Sequence, residues 1–309
     1  MHPFVRRPSE SVAALGEARL LTLIRGWLGA AAPAAPFGMG DDCAVLPAVP
    51  RRQLLTVDPV IYGRHFDDRV PPQAVGAKLL KRNLSDLAAM GGRPTAAVIA
   101  LSLDARTSVK WLEAFYRGLA ACARRHGVAI VGGDVAQADH TLAASLTLLG
   151  TATGPRFLTR AGARPGDWIY VTGRLGGSRS SGHHYRFTPR LREGSWLARQ
   201  REVRAMMDLS DGLAKDVHAL TPPGCRPAIQ ARVLPLRPGC DVAAALTDGE
   251  DYELLFVVAQ GADRAAFARR WRRAFPRPAL TCLGRFERKA VPSPGTLDLG
   301  RYHGYEHLR

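Results

Sequence analysis

Acidic residues are outnumbered by basic ones in this chain, 27 to 43, yet several of them fall beside glycines or at the ends of apolar segments. Asp41 and Asp42 follow Gly40, Asp58 follows Leu-Leu-Thr-Val, Asp86 closes Asn-Leu-Ser-Asp, and Asp134 follows Gly-Gly. Asp208 and Asp211 lie in Met-Asp-Leu-Ser-Asp-Gly, and Glu250-Asp251 follows Gly249. Strand ends and glycine turns let a fold aim side chains into a cleft at little steric cost. Converging carboxylates repel one another and need a cation to hold them together. Hard oxygen ligands without His or Cys clusters select magnesium or manganese. Taken singly, an Asp beside Gly is more often a turn or helix-capping residue. Asp67, Asp68 and Asp104 are read that way, as loop acids.

The missing motifs narrow the chemistry. The chain contains no GxxxxGK[ST] phosphate loop, and Gly38-Met39-Gly40-Asp41 fails the GxGxxG pattern. The protein-kinase set and the GxSxG nucleophile elbow are missing too. The adjacent His183 and His184 are spaced like a solvated loop rather than like metal ligands at i and i+4. A bound nucleotide would therefore be held mainly through bridging metals.

Alternating segments must position these residues. The pattern predicts an amphipathic N-terminal helix carrying Leu20, Leu21, Ile24, Trp27 and Leu28. It predicts strands over 54–57, 96–103, 128–131 and 142–151, with helices over 74–90 and 109–126. A Gly-, Arg- and Pro-rich loop near 154–167 marks a domain boundary, giving domains 1–154 and 155–309. The second half predicts strands over 168–172, 229–233 and 254–258, a Gly/Ser segment over 173–182 that cannot form a stable helix, and a helix over 263–275. The class is α/β (α+β).

Composition sets the outer bounds. At 309 residues, with 46% hydrophobic and 23% charged residues, the chain is long enough for two globular domains. No apolar run is longer than that from Ala96 to Leu101, which is too short to span a bilayer. Glu10, Glu17 and Arg25 interrupt any signal-peptide core, and five cysteines without CxxC spacing argue against a zinc ribbon or a disulfide framework. A cytoplasmic enzyme is expected. The net charge of +16 is carried mostly by scattered Arg, and Arg269, Arg270, Arg272 and Arg273 around Trp271 decorate a solvated helix face. No nucleic-acid signature accompanies them, so nucleic-acid binding is not expected, although a positive field would draw in anionic nucleotides.

Several stretches taken together resemble the thiamine-monophosphate kinase family. They are Gly-Asp-Asp-Cys-Ala-Val at 40–45, Asn-Leu-Ser-Asp-Leu-Ala-Ala-Met-Gly at 83–91, Gly-Gly-Asp at 132–134, and Leu-Thr-Arg-Ala-Gly-Ala-Arg-Pro-Gly-Asp-Trp-Ile-Tyr-Val-Thr-Gly at 158–173. Asp-Leu-Ser-Asp-Gly-Leu at 208–213 and Gly-Glu-Asp-Tyr-Glu-Leu at 249–254 complete the collinear set. The resemblance implies an N-terminal mixed-sheet domain that dimerises through its sheet, with a C-terminal α/β domain packed on it. It implies magnesium ligands at Asp41, Asp58, Asp86, Asp134, Asp208 and Asp211, and ATP contacts at Tyr116, Gly133, Asp134, Arg160 and Ser210. Thiamine monophosphate would be met by His65, Glu250 and Tyr305. The implied reaction is direct phosphoryl transfer from ATP, with several Mg2+ ions and Arg160 as charge stabiliser.

The chain departs from the family pattern at four places. Val57 stands where a Thr precedes the Asp, with Thr56 one place early and Pro59 directly after Asp58. Arg64 precedes His65, and Asp248 takes the first position of a Gly-Gly-Glu-Asp run. The segment 173–207 is shorter than the family norm by about a helix. These differences leave open a related ATP-using kinase or synthetase with another substrate, and a non-catalytic nucleotide-binding relative.

Overall fold

The computed structural model describes residues 1–34, 37, 46, 48, 50–288 and 295–305. The chain forms two compact units, Met1–Leu87 with Arg93–Thr151, and Ala88–Gly92 with Ala152–Arg309.

In the first unit the elements follow as α1 (Glu17–Leu28), β1 (Gln53–Ile61), α2 (Pro72–Ala89), β2 (Gly92–Leu103), α3 (Val109–His126), β3 (Ala129–Gln137) and β4 (Leu142–Ala152). The strands order β1-β4-β2-β3, with β1 antiparallel to β4 and β2 parallel to β3, so the sheet is mixed. Helix α3 starts where the Ser108 hydroxyl accepts from Trp111 N and stops at Gly127 in the left-handed conformation. Helix α2 buries Val75, Leu79, Leu80, Leu84 and Leu87. The two helices approach to backbone contact, because a Cβ on Gly76 would lie 2.0 Å from Phe115 O and one on Gly118 would lie 2.0 Å from Gln73 O.

Two strands run further than the sequence pattern predicts. Strand β1 continues through Asp58 and Pro59 to Ile61, so Asp58 sits mid-strand and Pro59 stays in the ladder opposite Ser145 instead of making a turn. A proline fits there because β1 is at the sheet edge. Strand β3 likewise carries Gly132, Gly133 and Asp134 within the strand. Gly133 is required by packing, since its Cβ would meet Ile99 O at 2.1 Å.

The second unit contains β5 (Trp168–Thr172), α4 (His183–Arg186), α5 (Leu191–Arg199), β6 (Val203–Asp208), α6 (Leu213–Asp216), β7 (Cys225–Ile229), α7 (Val242–Thr247), β8 (Leu254–Val258), α8 (Arg264–Ala274) and β9 (Leu280–Arg288). Its strands order β6-β8-β5-β9-β7, antiparallel at every junction. Ile169, Val171, Leu255 and Val257 pack with Leu213 and Leu246 on one face. Tyr170, Leu254, Phe256 and Val258 pack with Leu197, Phe267 and Trp271 on the other. Burial on both faces explains why β5 and β8 read as unbroken apolar runs. The strand expected over 229–233 is displaced. The ladder ends at Ile229, and Ala231–Val233 is a 3-10 turn. No described helix is long and apolar enough to cross a membrane.

Gly118→Ala is expected to force α2 and α3 apart and to destabilise the protein by about 1–3 kcal/mol, the range for overpacking. Chemical denaturation measures it; an unchanged midpoint would contradict the backbone contact.

Candidate active site

In the first unit, alternation along β1 puts Leu54, Thr56, Asp58 and Val60 on the sheet face that meets α2. The Thr56 hydroxyl donates to Asp86 Oδ2 at 2.5 Å. Arg82, itself 7% exposed, donates to Asp58 Oδ1 at 3.2 Å and to the Pro59 carbonyl. The hydroxyl beside Asp58 is thus supplied by Thr56, and Val57 points to the other face, where it is 61% exposed.

This hydroxyl and carboxylate set is all hard oxygen and suits magnesium. That ion keeps several waters and takes one or two carboxylates plus substrate phosphates. Among the described residues no three His, Cys, Asp or Glu side chains converge into a closed metal cage. Asp134 stands apart from Asp58. It lies on the opposite edge strand, three spacings or about 14 Å away. It also pairs with exposed Ala100 on the open face of the sheet. One ion cannot bridge the two within a single first unit. Asp41 lies outside the described residues.

His65 is buried, its Nδ1 accepting from Ile61 N at 3.1 Å while Lys78 Nζ donates to its carbonyl at 2.7 Å. The ring is therefore fixed with Nε2 as its donor. Tyr116 is 3% exposed, packed edge-on against Phe115, and burial pushes its phenol well above the ordinary range. Its geometry is that of a core residue of α3, not of an accessible nucleotide contact.

In the second unit, β6 delivers buried Asp208 to a turn carrying Ser210 and Asp211. Sequence reasoning passed over the residue that holds this turn. Asp216 Oδ2 accepts from Ser210 N at 2.9 Å and from Asp211 N at 3.0 Å. Burial pushes the Asp216 carboxyl up to about 7, with the Asp211 and Asp208 carboxylates adding to the rise and the two amides opposing it. Lys215 Nζ lies 2.8 Å from Asp211 Oδ2 and donates to Tyr305 O at 2.7 Å, while Tyr305 N donates to Asp211 O at 2.9 Å. Tyr305 is thereby tied to the Asp211 turn. Arg160 is exposed, just after Thr159, whose carbonyl accepts from Met206 N of β6 at 2.9 Å.

The segment 248–253 is locked to the glycine loop after β5. Asp248 Oδ2 accepts from Gly177 N at 2.7 Å, Asp251 from Gly176 N at 3.1 Å, and Ser178 Oγ donates to Gly249 O at 2.6 Å. The Asp at 248 therefore fastens the loop. Glu250 and Tyr252 both adopt positive φ, 52° and 50°, a conformation that non-glycine residues hold only when their surroundings enforce it. Arg237 reaches Asp251 Oδ1 at 3.0 Å, and Arg190 grips Glu253 at 2.5 and 2.7 Å, with the Thr172 hydroxyl donating to the same carboxylate at 2.6 Å. His183 and His184 are not in a free solvated loop; His183 is half-buried and His184 buried. The first contacts Asp251 O at 3.0 Å through Nε2, and the second is 8% exposed with Nδ1 against Ser178 O.

Burial pushes the Asp251 carboxyl up to about 6, against the pull of Gly176 N and Arg237. A raised acid pKa means the folded state holds the proton more tightly than the unfolded chain. This group's contribution to stability is therefore full below about pH 4 and lost as pH rises toward about 6. Asp251→Asn is expected to flatten that part of the stability profile; melting temperatures across pH 4–7 that slope identically in both proteins would contradict it.

Residues 40–154 match the family model for AIR synthase related protein, N-terminal domain. A thiamine-monophosphate kinase of Salmonella typhimurium is 37% identical over 253 residues, covering 72% of this chain and 76% of that protein. The crystal structure of thiamine-monophosphate kinase from Stenotrophomonas maltophilia superposes with a TM-score of 0.73 at 31% identity, covering 90% of this chain and 96% of that one. A solved structure described as AaThiL complexed with AMPPCP and TMP matches with a TM-score of 0.70 at 28% identity, over 99% of this chain and 100% of that one. With its carboxylate turns and glycine loop in place and these relatives matched along most of their length, the chain belongs to the thiamine-monophosphate kinase family.

Proposed function

We propose that this protein phosphorylates thiamine monophosphate to thiamine diphosphate, with ATP as donor and ADP as the other product. The observation that carries the reading is the match, along nearly the whole chain, to a relative solved with AMPPCP and TMP. The acceptor is a phosphate oxygen of thiamine monophosphate, already largely anionic near neutral pH because its second pKa is about 6. No strong general base is needed. The obstacle is the approach of two anions. Magnesium ions, when bound, supply the charge neutralisation that makes in-line transfer of the γ-phosphoryl group feasible.

Asp58 and Asp86 of the first unit, with Asp41 and Asp134, and Asp208 and Asp211 of the second are the proposed magnesium ligands. Thr56 orients the Asp86 carboxylate, and Asp216 holds the amides of the Asp211 turn. Gly133 and Ser210 are the proposed nucleotide contacts. Arg160, an exposed guanidinium, is proposed to offset charge on the transferring group. His65, Glu250 and Tyr305 are assigned to the thiamine moiety, and the cytoplasm is the proposed compartment.

The protein is further proposed to act as a homodimer. Leu55, Val57 and Ile61 line one face of β1 at 71%, 61% and 36% exposure, an apolar stripe on a sheet face with helices on its other side. A second copy of the sheet would cover it.

A steady-state assay is expected to yield thiamine diphosphate only when ATP, magnesium and thiamine monophosphate are all present. Asp208→Asn should lower kcat by about two orders of magnitude or more; no product from the wild-type chain would refute the assignment. Val57→Asp is expected to convert the dimer into a monomer in sedimentation equilibrium. A wild-type chain that sediments as a monomer, or a variant that stays dimeric, would count against the sheet-face interface.

A further inference from the structure

The loop that follows β1 is braced from outside by the N-terminal segment. It runs from Tyr62 to Phe66 and closes on itself, since Gly63 N donates to Phe66 O at 2.9 Å and His65 N to Ile61 O at 2.9 Å. Its two aromatic ends belong to a row of rings. Phe66 stacks on Trp111 of α3 at 5.7 Å, Tyr62 meets Phe66 edge-on at 5.6 Å, and Phe4 meets Tyr62 edge-on at 5.7 Å. Phe4 is fixed by its own backbone. Ser108 N donates to Pro3 O at 2.6 Å and Val5 N to Arg106 O at 2.9 Å, so the segment is strapped to the chain leading into α3. The Arg106 guanidinium lies 5.9 Å from the Phe4 ring centroid and is anchored by buried Asp104, whose Oδ1 accepts from its Nε at 3.0 Å. A second contact lies alongside. Tyr62 Oη donates to Asp68 Oδ1 at 3.0 Å, and His2 Nε2 stands 4.0 Å from Asp68 Oδ2.

We propose that Phe4 is a positioning residue for the acceptor substrate, holding through Tyr62 the loop that presents His65. The inference rests on the reading of His65 as a contact of the thiamine moiety. In this assignment Phe4 itself touches no substrate. The His65 ring is set by the bond its Nδ1 accepts from Ile61 N, and that bond lasts only while the loop keeps its closed form. Phe66 is buried and secured from within by α3, whereas Tyr62 is half-buried and leans on Phe4. Removing the Phe4 ring loosens Tyr62, and the loop then samples open forms that misdirect His65. Thiamine monophosphate must select the closed form from that mixture, which weakens its apparent binding by the fraction of closed loop. None of the proposed nucleotide contacts lies on this loop, so the cost falls on the acceptor and not on ATP.

Steady-state kinetics on the full-length protein tests this, varying thiamine monophosphate at saturating ATP and magnesium, then ATP at saturating thiamine monophosphate. Wild type, Phe4→Ala, Phe4→Leu, Phe4→Tyr, His65→Asn and the Phe4→Ala/His65→Asn double variant are compared well below their melting transitions. His65→Asn keeps an acceptor for Ile61 N and deletes the far side of the ring. Phe4→Ala is expected to raise the KM for thiamine monophosphate about threefold to tenfold, the scale of one aromatic pair, with kcat and the KM for ATP little changed. Phe4→Tyr keeps the ring and should restore the wild-type KM. Phe4→Leu should fall between, and it carries the test should the alanine variant fail to fold. His65→Asn should raise the same KM, and in that background Phe4→Ala should add little. A wild-type KM in Phe4→Ala and Phe4→Leu, with His65→Asn raising it, would overturn the inference alone. An equal rise in both KM values, or effects that multiply in the double variant, would overturn it too, by making Phe4 a structural residue only. A His65→Asn variant with wild-type KM would instead show that His65 does not meet the substrate, and both readings would fall.

Discussion

Five carboxylates of the second unit, Asp167, Asp208, Asp216, Asp251 and Glu253, are each 5% exposed or less, and much of the local structure follows from the need to meet them with donors. An unmatched buried charge costs several kcal/mol, more than any single surface contact returns. Backbone amides answer most of them. Arg164 N and Gln260 N bond Asp167, Gly176 N bonds Asp251, and the Ser210 and Asp211 amides bond Asp216. Arginines add to this, Arg190 at Glu253 and Arg237 beside the amide at Asp251. Because amides point where the backbone takes them, each such bond dictates a turn. The glycine loop, the Asp211 turn and the 249–253 crossing take their shapes from carboxylates they must satisfy.

The first unit solves a different problem, bringing one helix tightly against another on one side of its sheet. Gly76 and Gly118 let α2 and α3 touch along their backbones. That closeness fixes the height of α2 over the sheet, and Arg82 and Asp86, one turn apart on α2, meet Asp58 and Thr56 on β1. Acidic and hydroxyl oxygens are thus brought together by helix packing rather than by a loop, which suits a site that must hold its geometry before ligands arrive.

How much of this could be read from the sequence depended on whether the signal was local. Helix α3 was legible to the residue, because Ser108 caps it, Gly127 ends it, and its apolar positions keep the helical period. Strand β8 was legible as an apolar run, being covered on both faces. Strand β7 was misplaced because Pro227 argues against a ladder. The sheet tolerates it because β7 is an edge strand. Strand β9 was missed for a similar reason, since Gly284 and three charged residues break its pattern. At the site, the acids of the glycine-flanked motifs were visible, but their partners were not. Arg190 and Arg237 reach Glu253 and Asp251 across 63 and 14 positions, and no spacing rule connects them. His183 looked solvated for the same reason, since Asp251, whose carbonyl it contacts, lies 68 positions away.

The short segment Ala88–Gly92 is counted with the second compact unit although its neighbours on both sides belong to the first. Helix α5 seats on it through small residues. A Cβ on Gly194 would lie 1.9 Å from Ala88 O, and one on Gly91 would lie 2.4 Å from the Ala198 methyl. Thr153 N and Oγ1 both bond Gly91 O as well. The second unit therefore cannot be completed from the C-terminal half alone. During synthesis its docking platform emerges about a hundred residues before α5, which must find it across that interval. The order of assembly on the ribosome is written into where these five residues lie, and an insertion or a cut near position 90 would disturb both halves at once.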